Sequence, residues 1–329
     1  MRIRSAGNEV IATLEQGEDG WGLREKNDYP VDLDRLRNLL SALATAQRVE
    51  AKTAMAERYW QLGVEDVALD DARGVAVDIV TPKARYAFII GDNPVRGSGT
   101  YVRADGDAQT WLVDQSIAVE RKPANWLVKE IIDVGANRVQ RVSVTPAEGA
   151  AFAIERAADD AASDYRLEGV PPGREVAEDY QREALAGLLS GLGFEDVYPV
   201  AEYAVPEQTR VTLFALDDGR RVRIESWQDD GRTYARFDMT LDEDAATAWL
   251  ARPLAQAGDS ASKTREAVTD GSDDETAVPA SAARTVTRAD LDSRVRAFQR
   301  ARQDWVYQLP AYKAANLNKD LEAYLKPKE

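Results

Sequence analysis

The sequence predicts an α+β protein built from two tandem repeated β-β-α-β-β-β modules with antiparallel sheets, followed by a C-terminal tail of helix and strand. Three observations carry this prediction. The 329 residues are enough for about two domains of about 150 residues each. Short segments of alternating apolar and polar residues flank turns rich in Gly and Asp, and amphipathic helices separate these segments. Landmarks of the first half also return in the second half in the same order.

The first module, residues 1–135, opens with a predicted β-hairpin, because residues 9–14 and 21–24 are strand-like and flank a Gly/Asp turn. A helix is predicted after Asp32, because its leucines recur every three or four residues; they are Leu33, Leu36, Leu40 and Leu43. A second short helix ends at Gly63. Strands are predicted next at 75–80, 86–90, 100–103 and 111–113, and a helix at 123–132.

The second module, residues 136–252, repeats landmarks of the first. A helix is predicted around residues 188–192, because Leu188–Leu192 reads Leu-Leu-Ser-Gly-Leu and Leu39–Leu43 of the first predicted helix reads Leu-Leu-Ser-Ala-Leu, an offset of 149 residues. The four residues from Thr100 read Thr-Tyr-Val-Arg and the four from Thr233 read Thr-Tyr-Ala-Arg, an offset of 133. The first copy is therefore 16 residues longer between these landmarks, which matches its extra short helix.

A third landmark lies ahead of the other two in each module. Tyr165–Glu168 takes the place that Trp21–Arg24 has in the first module. Chance similarity between leucine-rich helices is the alternative explanation. The ordered recurrence of three landmarks favours a duplication.

The amino-acid composition changes after the second module. Residues 253–286 are predicted to be an acidic flexible linker, because no aromatic residue occurs from Gln256 to Thr285 and little apolar surface is available to offset the entropy of ordering. Order is expected to return at Thr287, which begins a capping-box pattern. The C-terminal segment 287–329 is apolar enough that we expect it to pack on the second module, with a last helix over 317–325.

Composition excludes several classes of function. Lys and Arg number 42 and Asp and Glu 57, so the net charge is −15, and no basic cluster suits nucleic acid or an anionic lipid surface. The absence of Cys and His removes thiol nucleophiles, disulfides, His-based triads and Cys/His zinc sites. No segment reaches the ~18 apolar residues that span a bilayer, and the first residues lack the apolar core of a signal peptide.

The remaining candidate sites have ordinary structural explanations. Acidic pairs fall at predicted turns; they are Asp70-Asp71, Asp159-Asp160, Asp217-Asp218, Asp229-Asp230 and Asp242 with Asp244. The glycine-rich run 91–99 lies between two strands and lacks the strand-to-helix setting of a phosphate loop. The seven tryptophans are expected to anchor the cores, unless several share one exposed face that stacks on sugars. We therefore predict no catalytic, cofactor-binding or metal-ligating residue, no cofactor and no enzymatic activity.

Several motifs resemble those of the DUF4340 family of bacterial proteins. In chain order they are Trp21-Gly22-Leu23, Tyr29-Pro30, Leu62-Gly63-Val64, Thr100-Tyr101-Val102-Arg103, Trp126 before Ile131-Ile132, and Trp305 to Lys313. The resemblance covers nearly the whole chain. Its motifs are structural, so it assigns no catalytic residue to this sequence.

The resemblance implies a location and partners. Members of the family usually carry one N-terminal transmembrane helix and an extracytoplasmic domain, and often occur beside an ABC-type ATPase, its permease and a protein similar to the gliding-motility auxiliary protein. This sequence begins at the first strand of the first module. We therefore expect it to be the periplasmic portion of a chain whose missing anchor holds it to the inner membrane.

Three functional hypotheses follow. The leading one is a non-enzymatic, extracytoplasmic accessory or interaction domain of an ABC-type transporter complex. The second is a periplasmic module that binds polysaccharide, peptidoglycan or lipid in a groove lined by exposed Trp or Tyr. The third and least favoured is a carboxylate-dependent hydrolase, which requires two acids that converge at ~5–10 Å.

Overall fold

The protein folds as an α+β structure with mostly antiparallel sheets and few helices. The computed structural model describes residues 1–18, 20–157, 165–252 and 286–327. The predicted acidic linker, apart from Val286, and the pair Asp159-Asp160 lie outside the described residues. The chain divides into two compact units, the first of Met1–Lys129 with Glu195–Val197 and the second of Glu130–Phe194 with Tyr198–Glu329.

The first unit is built on one nine-stranded sheet. Its strands are β1 (Arg2–Arg4), β2 (Val10–Gly17), β3 (Gly20–Leu23), β4 (Tyr29–Pro30), β5 (Arg48–Ala51), β6 (Val75–Val80), β7 (Arg85–Ile90), β8 (Thr100–Ala104) and β9 (Thr110–Val113). Their order across the sheet is β4-β3-β2-β1-β6-β7-β8-β9-β5. The predicted β2–β3 hairpin is confirmed, with Leu14 opposite Leu23.

The helix predicted after Asp32 is also confirmed. Helix α1 (Leu33–Thr45) begins where the Asp32 carboxylate accepts hydrogen bonds from the backbone N–H groups of Asp34 and Arg35. It buries Leu36 and Leu39. The second short helix is a 3-10 helix, Ala56–Gln61.

The chain continues into ten more strands. They are β10 (Glu130–Ile132), β11 (Val139–Thr145), β12 (Phe152–Arg156), β13 (Tyr165–Glu168), β14 (Leu192–Gly193), β15 (Asp196–Pro199), β16 (Arg210–Leu216), β17 (Arg220–Asp229), β18 (Arg232–Leu241) and β19 (Trp305–Gln308). Eight of them form a sheet in the order β13-β12-β11-β16-β17-β18-β19-β15, and β10 pairs with β14. Apart from β4, the first sheet has strands in the same succession, β3-β2-β1-β6-β7-β8-β9-β5.

Four helices accompany the second sheet. They are α2 (Tyr180–Ala186), α3 (Glu243–Leu250), α4 (Arg288–Arg302) and α5 (Ala311–Leu317). Helix α4 starts at the predicted capping box of Thr287 and Asp290. The sequence analysis assigns Asp242 to a turn and does not predict helix α3. In the structure the Asp242 carboxylate caps α3 by accepting hydrogen bonds from the N–H groups of Asp244 and Ala245.

Three predicted helices are wrong in extent. The segment 123–132 forms a 3-10 turn, Pro123–Trp126, followed by β10, because the β-branched pair Ile131-Ile132 favours an extended backbone. The last helix ends at Leu317, and a separate 3-10 turn, Leu321–Tyr324, follows.

The predicted helix around residues 188–192 is broken for a visible reason. Helix α2 ends at Ala186, a 3-10 turn covers Gly187–Leu189, and Gly191 adopts a left-handed φ of 53° before β14. Ala42 occupies the matching position of α1, and that helix continues to Thr45. The backbone is already extended at Ser190, so the helix ends ahead of Gly191. Gly187 is the C-cap of α2, whereas α1 has Asn38 at the matching position and continues.

The glycine-rich run forms the loop between β7 and β8, and steric contacts require glycine at two of its positions, Gly91 and Gly99. A Cβ added to Gly91 would collide with the carbonyl oxygen of Leu62. A Cβ added to Gly99, whose φ is 111°, would collide with the carbonyl oxygen of Val113, whereas nothing lies within 4 Å of one added to Gly97. We expect Gly99→Ala to lower the free energy of unfolding by about 1–3 kcal/mol. Urea unfolding of Gly99→Ala beside Gly97→Ala measures this, and equal losses would contradict a steric cause.

Candidate binding surface

One face of the first sheet carries apolar side chains that remain open to solvent. Directly opposite residues of paired strands point to the same face. Three rows of directly opposite residues define this face. They are Val77 with Phe88 and Ala104, Ile79 with Tyr86, and Ile90 with Val102 and Trp111. We name the partly or fully exposed members the open face; they are Ile79, Tyr86, Phe88, Val102, Ala104 and Trp111. Tyr86 is the most exposed, at 50%.

Helix α1 leaves this face incompletely covered. Leu40 and Leu43 of the helix are only half-buried. A cavity of about 210 Å³ is lined by Leu43, Phe88, Val102 and Trp111, with further apolar neighbours. A larger cleft of about 1160 Å³ is lined by Leu40 together with residues of β1, β2 and β6. The helix therefore lies beside a small, mostly apolar cavity and a larger cleft whose lining includes charged side chains such as Arg4, Asp78 and Arg85.

The strands at the same places in the second sheet are buried. Val222 and Ile224 of β17, Phe214 of β16 and Ala235 of β18 have no exposed surface. The cover is supplied in part by the end of the chain, because the ring of Tyr324 packs 5.0 Å from that of Phe152 on the same face. Helix α5 contacts β18 and α2. In the first unit Trp126 holds the place of Tyr324, because Leu127 pairs with Val31 as Leu325 pairs with Val176. The two faces therefore differ in the exposure of their central strands and not in whether a covering turn is present.

Two polar groups accompany the apolar cavity of the first unit. The indole Nε1 of Trp111 is buried and has no hydrogen-bond partner among the described residues. The guanidinium of Arg48 lies 4.9 Å from the centre of the Trp111 ring. Arg48 itself is exposed on the edge strand β5. The cavity therefore offers one buried donor and one cation at its margin.

A buried carboxylate lies at the larger cleft. Asp78 accepts hydrogen bonds from Arg4 at 2.9 Å and Arg85 at 2.8 Å, and its side chain is 10% exposed. Burial alone would raise the pKa of Asp78, but the hydrogen bonds from Arg85 and Arg4 outweigh it and lower that pKa. These hydrogen bonds link three neighbouring strands, because Arg4 lies on β1, Asp78 on β6 and Arg85 on β7.

This pairing predicts a pH dependence of stability. Because the folded-state pKa of Asp78 lies below its unfolded value, the ionised carboxylate contributes stability above about pH 4 and loses it as pH falls through the lowered pKa. We expect Asp78→Asn to be less stable than the wild type at pH 7, and the difference to shrink in acid. Urea unfolding of the wild type and Asp78→Asn at pH 7 and in acid measures the two differences in the free energy of unfolding. The same difference at both pH values would contradict the prediction.

The acidic pairs found in the sequence do not come together as one site. Asp217 and Asp218 occupy the turn between β16 and β17 and both pair with Arg138, at 3.0 and 2.9 Å. Asp230 adopts the left-handed conformation of a turn residue. Within the described ranges, no three of His, Cys, Asp and Glu gather where they could hold a metal ion.

The aromatic residues of the second unit form a cluster that the sequence did not reveal. The rings of Tyr198, Tyr203, Trp227 and Tyr234 pack with centroid separations between 5.0 and 6.4 Å. Tyr198 and Tyr203 are half-buried, and burial raises the pKa of Tyr203. Tryptophan spacing gave no sign of it, because three of the four rings belong to tyrosines.

A polar pocket of about 470 Å³ opens near this cluster. It is lined by side chains that include Glu148, Arg210, Ser226, Gln228 and Asp320. Arg210 donates to Asp320 at 2.7 Å, while the Oγ of Ser226 is buried with no hydrogen-bond partner among the described residues. The pocket therefore presents several hydrogen-bonding groups of mixed charge.

The fold and these surfaces define an α+β protein whose described residues form two large, mostly antiparallel sheets, the first of which leaves one apolar face partly exposed. The chain belongs to the DUF4340 family, a domain family of unknown function whose model matches residues 21–212. The motif from Trp305 to Lys313 lies outside the matched residues. Neither the curated proteins nor the solved structures give a match to this chain.

Proposed function

We propose that this protein is a non-enzymatic, extracytoplasmic accessory domain of an ABC-type transporter complex that binds a partner protein through the open face. The open face is the observation that carries the proposal. Contiguous exposed apolar surface on a protein with a net charge of −15 is typical of an interaction site. The setting that the resemblance to the DUF4340 family implies, beside an ABC-type ATPase and its permease, supports the same role.

We further propose that the two units arose by duplication of one module. The shared strand order supports this, since β8 and β18, which carry the Thr-Tyr-x-Arg landmarks, hold the same place in their sheets. The registers agree as well: Leu14 lies opposite Leu23 and Ile154 opposite Leu167. The two modules differ in that Phe88 and Ala104 of the first sheet are partly exposed, whereas Ile224 and Phe237 at the same places in the second sheet are buried.

The proposed partners are the permease and ATPase of the transporter and a protein similar to the gliding-motility auxiliary protein. The proposed location is the periplasmic side of the inner membrane, with an anchor ahead of the first strand. Among the described residues, no helix has the length and apolar character needed to cross a membrane.

Co-purification tests this proposal. The complete native reading frame would be tagged, membranes solubilised gently and partners identified by mass spectrometry. Recovery of the ABC-type permease and ATPase in defined proportion to the chain is the expected result. Recovery of the chain by itself from the soluble fraction would overturn the transporter role.

A module that binds polysaccharide, peptidoglycan or lipid is the second candidate, and the second unit favours it. The polar pocket and the aromatic cluster together supply hydrogen-bonding groups and ring faces, which carbohydrate binding uses. Titration of tryptophan fluorescence with a panel of glycans and lipids tests it, with Trp227→Phe as the control. A response that Trp227→Phe abolishes supports this candidate, and an unchanged spectrum contradicts it.

A carboxylate-dependent hydrolase is less well supported. Burial raises the pKa of Asp217, as a general acid requires, but its oxygen already pairs with Arg138 at 3.0 Å. Asp218 next to it is paired with Arg138 and Arg220. These carboxylates are engaged in ion pairs, which supports a structural role over catalysis.

A further inference from the structure

We propose that the polar pocket of the second unit binds a neutral sugar through buried hydrogen-bonding groups that the fold itself does not require. We name two of its lining residues, Arg210 and Ser226, the pocket floor. The inference rests on the second candidate function, and it names the residues that bind and the charge of the ligand. It uses residues of the second unit alone, so it does not depend on the transporter role.

The pocket floor is a pair of directly opposite residues on neighbouring strands. Arg210 of β16 lies opposite Ser226 of β17, so both side chains point to the same face of the sheet. Other polar side chains complete the lining; they are Glu148, Gln208, Gln228, Asn318 and Asp320. The volume of about 470 Å³ lies within the range of small-molecule sites, ~300–1,000 Å³.

The pocket floor holds two buried polar atoms that lack a partner among the described residues. One is the Oγ of Ser226, a residue that is only 1% exposed. The other is the Nε of Arg210. The rest of this guanidinium donates to Asp320 at 2.7 Å and to the carbonyl oxygen of Lys319. A buried polar group without a partner is destabilising, so the floor is complete only when a bound molecule supplies the missing hydrogen bonds.

The first unit shows that this kind of sheet can be built with apolar residues at the same places. The Thr-Tyr-x-Arg landmarks align the two sheets, and the registers of β6, β7 and β8 then match those of β16, β17 and β18. By this alignment Ile90 takes the place of Ser226, and Val75 takes the place of Arg210. Val75 is 2% exposed and Ile90 is 4% exposed. Packing alone therefore does not require polar groups there.

Thr212 follows the same pattern two residues further along β16. It has no exposed surface, and its Oγ1 has no hydrogen-bond partner in the described part of the chain. Val77, which is also fully buried, takes its place in the first sheet. Valine and threonine have the same shape, so the second unit carries a buried hydroxyl where a methyl group would fit. Such polar groups are retained at the expense of stability where they serve binding.

The charges around the pocket floor favour a neutral ligand that is rich in hydroxyl groups. Asp320 already neutralises Arg210, and Glu148 adds a negative charge, so an anion is disfavoured. The Nε of Arg210 requires an acceptor, whereas the carboxylates of Glu148 and Asp320 require donors. A sugar hydroxyl accepts and donates at once, so it can bridge the two kinds of group. A neutral saccharide therefore fits this pocket.

Titration with neutral and acidic sugars tests the inference. Glucose, N-acetylglucosamine and dextran, a neutral glucose polymer, would be titrated into the full chain beside glucuronate, with binding followed by saturation-transfer NMR. We expect saturable binding of a neutral sugar and about fivefold weaker binding of glucuronate. Binding of dextran alone indicates a polysaccharide as the ligand, and binding of the small sugars indicates a free sugar. Either result supports the pocket.

Ser226→Ala is the principal variant, because it removes the unpartnered hydroxyl and little volume. It is expected to weaken sugar binding about fivefold, the effect of one hydrogen bond, without lowering the midpoint of urea unfolding. Thr212→Val is expected to raise that midpoint. Ser143→Ala is the matched control, since Ser143 neighbours Val144, which lies opposite Thr212, and so points to the other face of the same sheet. It is expected to bind sugar like the wild type.

The outcomes separate this inference from the two candidate functions. Failure of every neutral sugar to bind would overturn it. A lowered unfolding midpoint in Ser226→Ala or Thr212→Val would do so too, because ordered water would then already satisfy these hydroxyls. Sugar binding that Ser226→Ala leaves unchanged would overturn the pocket floor, and the second candidate would then rest on the aromatic cluster. The titration requires no membrane partner, so the transporter role is tested separately.

Discussion

Replacing Trp126 by alanine is expected to destabilise the first unit more than any other single truncation of a tryptophan in that unit. Trp126 has no exposed surface, and its Nε1 donates to the carbonyl oxygen of Glu120 at 3.2 Å. Its own carbonyl oxygen accepts from the N–H of Asp32, the residue that caps α1, at 2.8 Å. Removing a fully buried aromatic ring leaves a cavity and costs about 3–5 kcal/mol.

Urea unfolding of the full chain measures this loss. Trp60→Ala is the control, because Trp60 is 60% exposed and its truncation is expected to cost less than about 1 kcal/mol. Trp126→Phe retains most of the ring volume and provides a milder variant if alanine prevents folding. Equal losses for Trp126→Ala and Trp60→Ala would contradict the burial argument.

The local elements of this fold were predictable where short-range chemistry decides them. Asp32 followed by leucines at helical spacing specified α1, and alternating residues around a turn specified the β2–β3 hairpin. The prediction failed where a single residue, or a strand distant in sequence, determines the local secondary structure. Helix α2 ends at Ala186 with Gly187 as its C-cap, whereas α1 continues past Asn38 at the matching position. Ile131-Ile132 pairs in β10 with a strand about 60 residues away in sequence.

The candidate surface was not predictable for a different reason. Whether a strand residue such as Phe88 or Ile224 is exposed depends on which distant segments lie over its sheet, and in the second unit these include the end of the chain, where Tyr324 packs on Phe152. Strand β7 is apolar at five consecutive positions, Tyr86–Ile90, so its sequence does not show which face is covered. Only the three-dimensional packing distinguishes a covered face from an open one.

The largest electrostatic effect is expected at Asp218. Its side chain has no exposed surface and accepts hydrogen bonds from Arg138 at 2.9 Å and from Arg220 Nε at 2.7 Å. It also accepts from the backbone N–H of Arg220 at 3.1 Å, which fixes the turn between β16 and β17. Asp218→Ala would leave Arg220, itself 9% exposed, without this partner, and breaking such a buried pair costs about 3–5 kcal/mol.

Glu155→Ala is the matched control for Asp218→Ala, because Glu155 is also paired with an arginine of the second sheet, Arg141, but is 53% exposed. An exposed ion pair contributes about 0–1 kcal/mol, since water screens the charges. The two variants remove the same kind of pair and differ chiefly in burial. If urea unfolding gave similar losses for both, burial of Asp218 would not be what makes its ion pairs important for stability.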